Sequence, residues 1–244
     1  MKNETQNNRH QPLISCICIT YKRPQQLLQA IANFRDQTYI NRELIISHTD
    51  DDISTKDLIE KVSKHDLLKI TAVERSVKDP LGTARNIAIS TAKGEYVCIW
   101  DDDDYHAPDR LKYQVNTLET AGTNYQACIL SRITLYDNLM KRAYLTRLYN
   151  WGGTLLCRRS ILLQNPYPSV HLLEDIDLIR FLESKKLLKR IDDTFLLYIY
   201  VYHGTNTIDH QHFRYFTRKS FRFNNSFNEI IQKMLNEGTE FLIY

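Results

Sequence analysis

Glycine is scarce in this chain, at 7 of 244 residues, which excludes a collagen-like polymer. Apolar residues make up 43% and charged residues 25%, ordinary globular usage that excludes a disordered chain. No run of 18 apolar residues occurs, so no transmembrane helix is expected. The opening stretch MKNETQNNRHQ is polar and lacks the apolar centre of a signal peptide. The expected location is therefore cytoplasmic, on the side of the membrane where the chain is made. An excess of charge of one sign is missing too: 32 Lys and Arg face 29 Asp and Glu, a net +3. No basic stripe stands out, so nucleic acid is not an expected partner. The five cysteines, Cys16, Cys18, Cys98, Cys128 and Cys157, form no CxxC pair and lie in apolar stretches. That pattern predicts reduced, buried thiols and gives no paired spacing for zinc. Tyrosine is abundant, at 15, and a chain this long buries a sizeable core without staples.

The first half alternates apolar runs with helical patterns. Leu13–Thr20 (LISCICIT) reads as a strand buried on both faces, as in a parallel sheet. Pro24 suits the first turn of a helix, in which Leu27, Leu28, Ile31 and Phe34 share a face. Strands follow at Glu43–Ser47, Lys69–Val73, Glu95–Trp100 and Ala127–Leu135. Helices are expected near Thr55–Lys64, over Leu81–Lys93 with Gly94 as the helix-ending glycine, and over Pro108–Thr120. This alternation predicts an α/β fold with a mostly parallel central sheet flanked by helices. The second half is less regular. Lys141–Arg147 and Thr154–Cys157 read as edge strands, Leu172–Ser184 as a helix, Thr194–Tyr202 as a strand and His210 onward as helical. The expected organisation is a tail over 1–11, one domain over 12–207 and a helical C-terminal extension over 208–244.

The sharpest local feature is Trp100-Asp101-Asp102-Asp103-Asp104-Tyr105. Four adjacent carboxylates repel one another, and a solvated loop is the plain explanation of such a run. Here the run follows an apolar strand, at the carboxyl end where open α/β sheets bind ligands. A divalent cation turns the repulsion into binding, and magnesium is held by one or two carboxylates plus substrate phosphates. An EF-hand is excluded: His106 stands where the turn glycine belongs and Lys112 where the twelfth-position glutamate belongs.

With these elements in order, the sequence resembles the family 2 glycosyltransferases of GT-A fold, over roughly Pro12 to Thr207. SCICITYKRP (15–24) resembles the opening strand and nucleotide loop. LGTARN (81–86) resembles the segment with an Ala-Arg-Asn core, and KGEYVCIWDDDD (93–104) the strand ending in the DXD motif. YNWGGTLLCRRS (149–160) resembles the acceptor-side segment, Glu174-Asp175-Ile176-Asp177-Leu178 the second acidic motif, and HGTNT (203–207) the histidine-bearing stretch. One element departs. The family's second strand ends in a base-contacting Asp, whereas here His48 stands near that place, followed by Asp50, Asp51 and Asp52. Asp50 or Asp51 is left to take the role.

The resemblance implies an inverting transfer of a sugar, of the hexosyl or N-acetylhexosaminyl class. The donor would be a nucleoside diphosphate sugar, UDP-linked by preference, and the acceptor a glycan or lipid-linked glycan of bacterial surface polysaccharide. Mn2+ or Mg2+ would neutralise the departing diphosphate. Asp103 is the expected direct metal ligand. Asp101 meets the ribose, a metal-bound water or the metal, and His203 either ligates or donates to a phosphate. Thr20, Tyr21, Arg23, Asp102 and one of Asp50 and Asp51 line the donor site. Arg85 either pairs with phosphate or locks the acid cluster. Asp175 is the candidate base, in the first turn of a helix whose dipole favours negative charge; a helix cap is its plain alternative. Glu174, Trp151, Gly152 and Gly153 belong to the acceptor side, Trp151 stacking on a sugar or packing in the core. Over 210–233, Arg214, Arg218, Lys219, Arg222 and Lys233 interleave with aromatics. A helical flap is the favoured explanation and a peripheral contact at the inner membrane face the alternative. Two rival functions remain open: a nucleotidyltransferase, which would want a Gly-rich loop where TYKRP stands, and a binding module, which would need no second acid motif.

Overall fold

The computed structural model describes residues 11–64, 68–207 and 210–236. The expected tail lies outside them apart from Gln11. Strand β1 (Ile14–Ile19) pairs in parallel with β2 (Arg42–Thr49) and β4 (Tyr96–Ile99), and β2 with β3 (Ile70–Arg75). Helices α1 (Pro24–Arg35), α2 (Ile53–Ser63) and α3 (Leu81–Thr91) connect these strands. Pro24 does open α1, where its missing N–H costs no hydrogen bond. On the buried face of α1, Leu27, Leu28, Ile31 and Phe34 are 0–5% exposed, each contributing roughly 1.5–3 kcal/mol.

After β4 the chain makes the short strand β5 (Tyr105–His106), α4 (Arg110–Thr120) and β6 (Ala127–Leu130). It continues with β7 (Thr134–Asp137), β8 (Arg142–Leu145), a 3-10 turn at Gly152–Thr154, β9 (Leu156–Arg158) and α5 (Arg159–Gln164). Then come α6 (Ile176–Ser184), β10 (Leu188–Ile191), β11 (Tyr198–Tyr202), α7 (His210–Lys219), β12 (Phe221–Arg222) and α8 (Asn225–Asn236). The strands form two sheets. The seven-stranded one runs β3-β2-β1-β4-β9-β6-β10, and the five-stranded one runs β12-β8-β7-β11-β5. In the larger sheet β9 alone is antiparallel to its neighbours β4 and β6.

The expected mixed α/β fold with a mostly parallel central sheet is what forms. Cys16 and Cys18 of β1 face one core layer and Ile17 the other. Both faces of the strand are therefore covered by apolar side chains, which is why LISCICIT carries no polar alternation. All five cysteines are free and buried.

Several boundaries differ from the sequence reading. The run Ala127–Leu135 is not one strand: it breaks at Ser131-Arg132-Ile133 because β6 and β7 belong to different sheets. Thr154–Cys157 is not an edge. Its strand, β9, lies fully inside the large sheet, and β8 lies inside the small one, covered by β12. β10 was not anticipated, since Lys189 and Arg190 interrupt its apolar pattern. Gly94 does not end α3. Ala92 is the C-cap, and Gly94 passes over β1, where a Cβ would meet Ser15 Oγ at 2.6 Å. Beyond residue 209, α7 places Phe213 in the main core and α8 places Ile231 against Tyr136, Ala143 and Ile199. Among the described residues no helix is long and apolar enough to cross a membrane.

Candidate active site

The acid run begins where β4 ends. Trp100 is fully buried, donates from Nε1 to the Ala30 carbonyl (3.0 Å) and stacks on His106 with ring centroids 3.8 Å apart. That anchor fixes where the turn starts. Arg110, also fully buried, donates from Nη2 to the carbonyls of Ile99 (3.0 Å) and Gly153 (3.1 Å) and from Nε to Gln114 (3.0 Å). The glycine pair is thereby bound to the end of β4.

The four carboxylates then diverge. Asp101 lies 3.5 Å from Arg85 Nη2 and accepts from Tyr198 Oη at 3.4 Å. Asp102 is buried, with Arg23 Nη1 at 3.5 Å. Asp103 Oδ2 receives Arg23 Nη1 at 2.9 Å, lies 3.1 Å from His203 Nε2 and 3.5 Å from Asn206 Nδ2. Asp104 is buried and bonded to Tyr198 Oη and to the Val201 amide (2.8 Å), fastening the turn to β11. Burial, opposed by Arg85 and reinforced by Asp103 and Glu174, pushes Asp101 up to about 6. Burial and the Asp103 charge push Asp102 up to about 7, and the same two causes raise Asp104. The cluster holds more negative charge than its own cations neutralise.

Arg85, on α3, is nearly buried between acids. It pairs with Glu174 at 2.5 Å and lies over the Tyr167 ring at 5.5 Å. Burial pulls its guanidinium down, and Glu174 and Asp101 more than reverse that, holding it charged. Arg85 thus sits between Asp101 of the first acidic motif and Glu174 of the second. Glu174 is correspondingly turned toward Arg85, 5% exposed. Asp175 follows at the N-cap position of α6, yet its side chain makes no capping hydrogen bond. Its carboxylate instead lies against Gly152, where a Cβ would fall 1.6 Å from Asp175 Oδ2; at Gly153 one would fall 2.4 Å from Asp101 Oδ2. Two adjacent glycines thus let the backbone run between the first and second acidic motifs.

A cavity of about 720 Å3 opens at this point. Arg23, Arg85, Asp101, Asp102, Asp103, Trp151, Gly152, Gly153, Glu174 and Asp175 all line it, so the structure gathers most of the sequence-predicted residues. Trp151 packs on Tyr149 and on Phe216 of α7, with centroids 5.2 and 4.7 Å away, and its buried Nε1 has no hydrogen-bond partner among the described residues. It serves both packing and lining. Thr20, Tyr21, Asp50, Asp51 and His203 do not line that cavity. Thr20 and Tyr21 belong to the loop after β1. Asp50 accepts from the Val77 amide (3.2 Å), and Asp51 pairs with Lys22 (2.8 Å). Asp52 caps α2, accepting from the Thr55 amide at 3.1 Å.

Three groups of contributors escaped the sequence reading. Tyr198 and Arg110 carry no local signal, since each acts through contacts distant in sequence. Asn206 lies inside the HGTNT stretch, where His203 is the more conspicuous residue. His212, Phe213 and Phe216 of α7 line the cavity, and the aromatic spacing of that helix was their only trace.

A divalent cation suits the donor set. Asp103 and His203 offer one carboxylate and one imidazole within hydrogen-bond distance of each other, beside carboxylates short of positive charge. Asp101 is turned toward Arg85 and Tyr198, and no group of three ligating side chains converges among the described residues. A cation here would take its remaining ligands from phosphate and water, the usual habit of magnesium.

Residues 15–172 match the family described as Glycosyl transferase family 2. The chain belongs to that family. A relative from Escherichia coli, named UDP-Glc:alpha-D-GlcNAc-diphosphoundecaprenol beta-1,3-glucosyltransferase WfaP, is 31% identical over 108 residues. That match covers 44% of this chain and 42% of the relative. Among solved structures, S. aureus TarS 1–349 in complex with UDP superposes with a TM-score of 0.64 at 17% identity, covering 78% of this chain and 61% of that one. The mannosyltransferase PcManGT from Pyrobaculum calidifontis, in complex with GDP-Man and Mn2+, gives 0.65 at 18% identity, covering 84% and 61%. These likenesses show a GT-A fold. The chain spans about two fifths of the E. coli relative's length and three fifths of each solved chain.

Proposed function

We propose that this chain is a metal-dependent inverting glycosyltransferase that moves a sugar from a nucleoside diphosphate sugar, UDP-linked by preference, to an acceptor hydroxyl. The observation that carries the reading is the one cavity shared by two acidic motifs. Asp101–Asp103 line it from the end of β4, and Asp175 lines it from the start of α6 with its carboxylate uncommitted to capping. A binding module has no need of the second motif. A nucleotidyltransferase would want a glycine-rich phosphate loop, and Tyr21-Lys22-Arg23-Pro24 has none.

Asp103 and His203 would hold Mn2+ or Mg2+, which supplies charge neutralisation at the departing diphosphate. Asp175 takes the proton of the acceptor hydroxyl as its oxygen bonds to the anomeric carbon. The bond from that carbon to the diphosphate oxygen breaks on the opposite face, and the electron pair leaves with the nucleotide. Arg85 and Glu174 hold the two motifs in register across the cavity. Trp151 lines the cavity and offers part of its ring to the acceptor sugar. UDP in the TarS complex, GDP-Man and Mn2+ in the PcManGT complex and UDP-Glc in the WfaP name support the donor class and the metal. The diphosphoundecaprenol acceptor in the WfaP name supports a lipid-linked acceptor and a surface-polysaccharide role. A basic α7 at the cavity wall is compatible with peripheral membrane contact.

Incubation with Mn2+ and a panel of nucleotide sugars tests the reading. Release of nucleoside diphosphate, faster with acceptor, is expected. Pyrophosphate release would mean nucleotidyl transfer, and no release with any donor would leave a binding module.

A further inference from the structure

Asp103 Oδ2 is crowded. Arg23 Nη1 reaches it at 2.9 Å, with His203 Nε2 at 3.1 Å and Asn206 Nδ2 at 3.5 Å. The same guanidinium group lies 3.5 Å from Asp102 Oδ1, and its Nη2 donates to the Thr205 carbonyl at 2.8 Å. Arg23 therefore ties the loop after β1 to the metal-ligand carboxylate and to the 203–206 stretch at once. Its backbone is fixed for this task. Pro24 begins α1 directly after it, and Lys22 directly before it holds a left-handed φ of 53°, with its amide bound to Asp52 at 2.5 Å.

We infer that Arg23 is a surrogate cation. It occupies the Asp103 carboxylate in the absence of substrate and transfers to the donor diphosphate when that arrives, so that metal and nucleotide load together. This rests on the metal-dependent reading above. A divalent ion drawing on Asp103 meets a fixed positive charge beside it, which weakens binding of the ion alone. A diphosphate carries more charge than a single carboxylate pair and matches the guanidinium fork, so it draws Arg23 away and leaves Asp103 to the ion. Metal and nucleotide then each raise the other's affinity, as linkage requires.

The test is Mn2+ binding to the full chain without nucleotide, read from the electron paramagnetic resonance signal of free Mn2+. Arg23→Gln is expected to bind the ion on the order of tenfold more tightly than wild type, a difference of about 1.4 kcal/mol. Arg23→Lys keeps the charge and is expected to stay close to wild type. Titration of UDP in the presence of Mn2+ is expected to show weaker nucleotide binding to the Gln variant. Arg23→Met, which keeps the aliphatic stem, is the second neutral variant should the first fold poorly. If neither neutral variant binds Mn2+ more tightly while wild-type UDP binding still requires the ion, the inference is overturned and the metal reading stands. If wild-type UDP binding is indifferent to Mn2+, the metal reading falls and takes this inference with it.

Discussion

Gly152 and Asp175 share a space that admits no further atom: a Cβ on residue 152 would lie 1.6 Å from Asp175 Oδ2 and 3.2 Å from its Cβ. The contact accounts for an acid at the N-cap of α6 that makes no capping hydrogen bond. Leu173, two residues earlier, adopts a left-handed φ of 60°, an uncommon backbone for a bulky residue. That turn delivers Glu174 to Arg85 and Asp175 to the glycine.

Gly152→Ala is therefore expected to displace the Asp175 carboxylate while leaving the fold intact. Misplacing a reacting group by about 1 Å costs on the order of 10²-fold in rate. Turnover should fall by about that factor with donor affinity nearly unchanged. Steady-state kinetics beside nucleotide calorimetry will check it, and a variant with wild-type kcat would break the link between the two residues.

Asp175→Asn keeps the shape and removes the proton acceptor. Nucleotide affinity should hold, and kcat should fall 10²–10⁴-fold, about 3–5 kcal/mol of transition-state stabilisation. A rise in acceptor KM with kcat preserved would instead make Asp175 a binding residue.

Asp103→Asn addresses the metal. It forfeits the contacts to Arg23 and His203, yet it lowers the repulsion felt by Asp101, Asp102 and Asp104, all raised in part by its charge. The expected outcome is loss of Mn2+-dependent UDP binding with an apoprotein melting temperature unchanged or higher. A clear drop in melting temperature without ligand would make Asp103 structural.

The acid cluster also predicts how stability varies with pH in the presence of a chelator. Asp102 rises from 3.8 unfolded to about 7 folded, so the folded state binds its proton more tightly than the unfolded chain does. Its stabilising effect is complete below the unfolded value and disappears as pH climbs through about 7. Asp102→Asn should melt close to wild type at acid pH and progressively above it toward neutrality. Thermal melts across that window decide the matter, and a constant offset would refute the assignment.

Arg110 yields a stability prediction. Arg110→Met strands the carbonyls of Ile99 and Gly153 and the Gln114 amide oxygen in the interior. The expected cost is about 2–4 kcal/mol, read from denaturant midpoints. A loss under half a kcal/mol would mean that other groups or water satisfy those acceptors.

The sequence announced the parallel half of this fold because both faces of β1, β2 and β4 are buried, so their apolar runs are unbroken. It also displayed the acid run Asp101–Asp104 and the acidic stretch Glu174–Asp177, because each is a local cluster of carboxylates; that the two meet at one cavity is a property of the fold. What it concealed depends on contacts across long separations. Tyr198 meets Asp104 across 94 residues, and Arg110 meets Gly153 across 43. Neither residue differs in type from an ordinary strand tyrosine or helix arginine. The two-sheet division was hidden for a related reason: a bend between sheets at Ser131–Ile133 needs no change of composition. Glu174 was legible as an acid but not as the partner of Arg85, because pairing is a property of the packed loop.

The reversed direction of β9 has a consequence for how this scaffold can diversify. In a parallel strand the residues facing the ligand crevice come after the strand, where they are bound up with the next crossover helix. β9 enters from the crevice side, so the segment before it, 146–154, lines the cavity through Leu148–Gly153 and only then joins the sheet. Its downstream register is secured by pairing with β4 and β6, and Arg110 clamps its last turn. Within it the Tyr149 amide donates to the Ser131 carbonyl (2.9 Å), and Asn150 bonds to Glu183 (2.9 Å) and Arg190 (3.1 Å), all partners outside the acid run. The wall of the cavity built by 146–154 is thus anchored apart from the wall built by the acid run, and one can vary while the other stays in place.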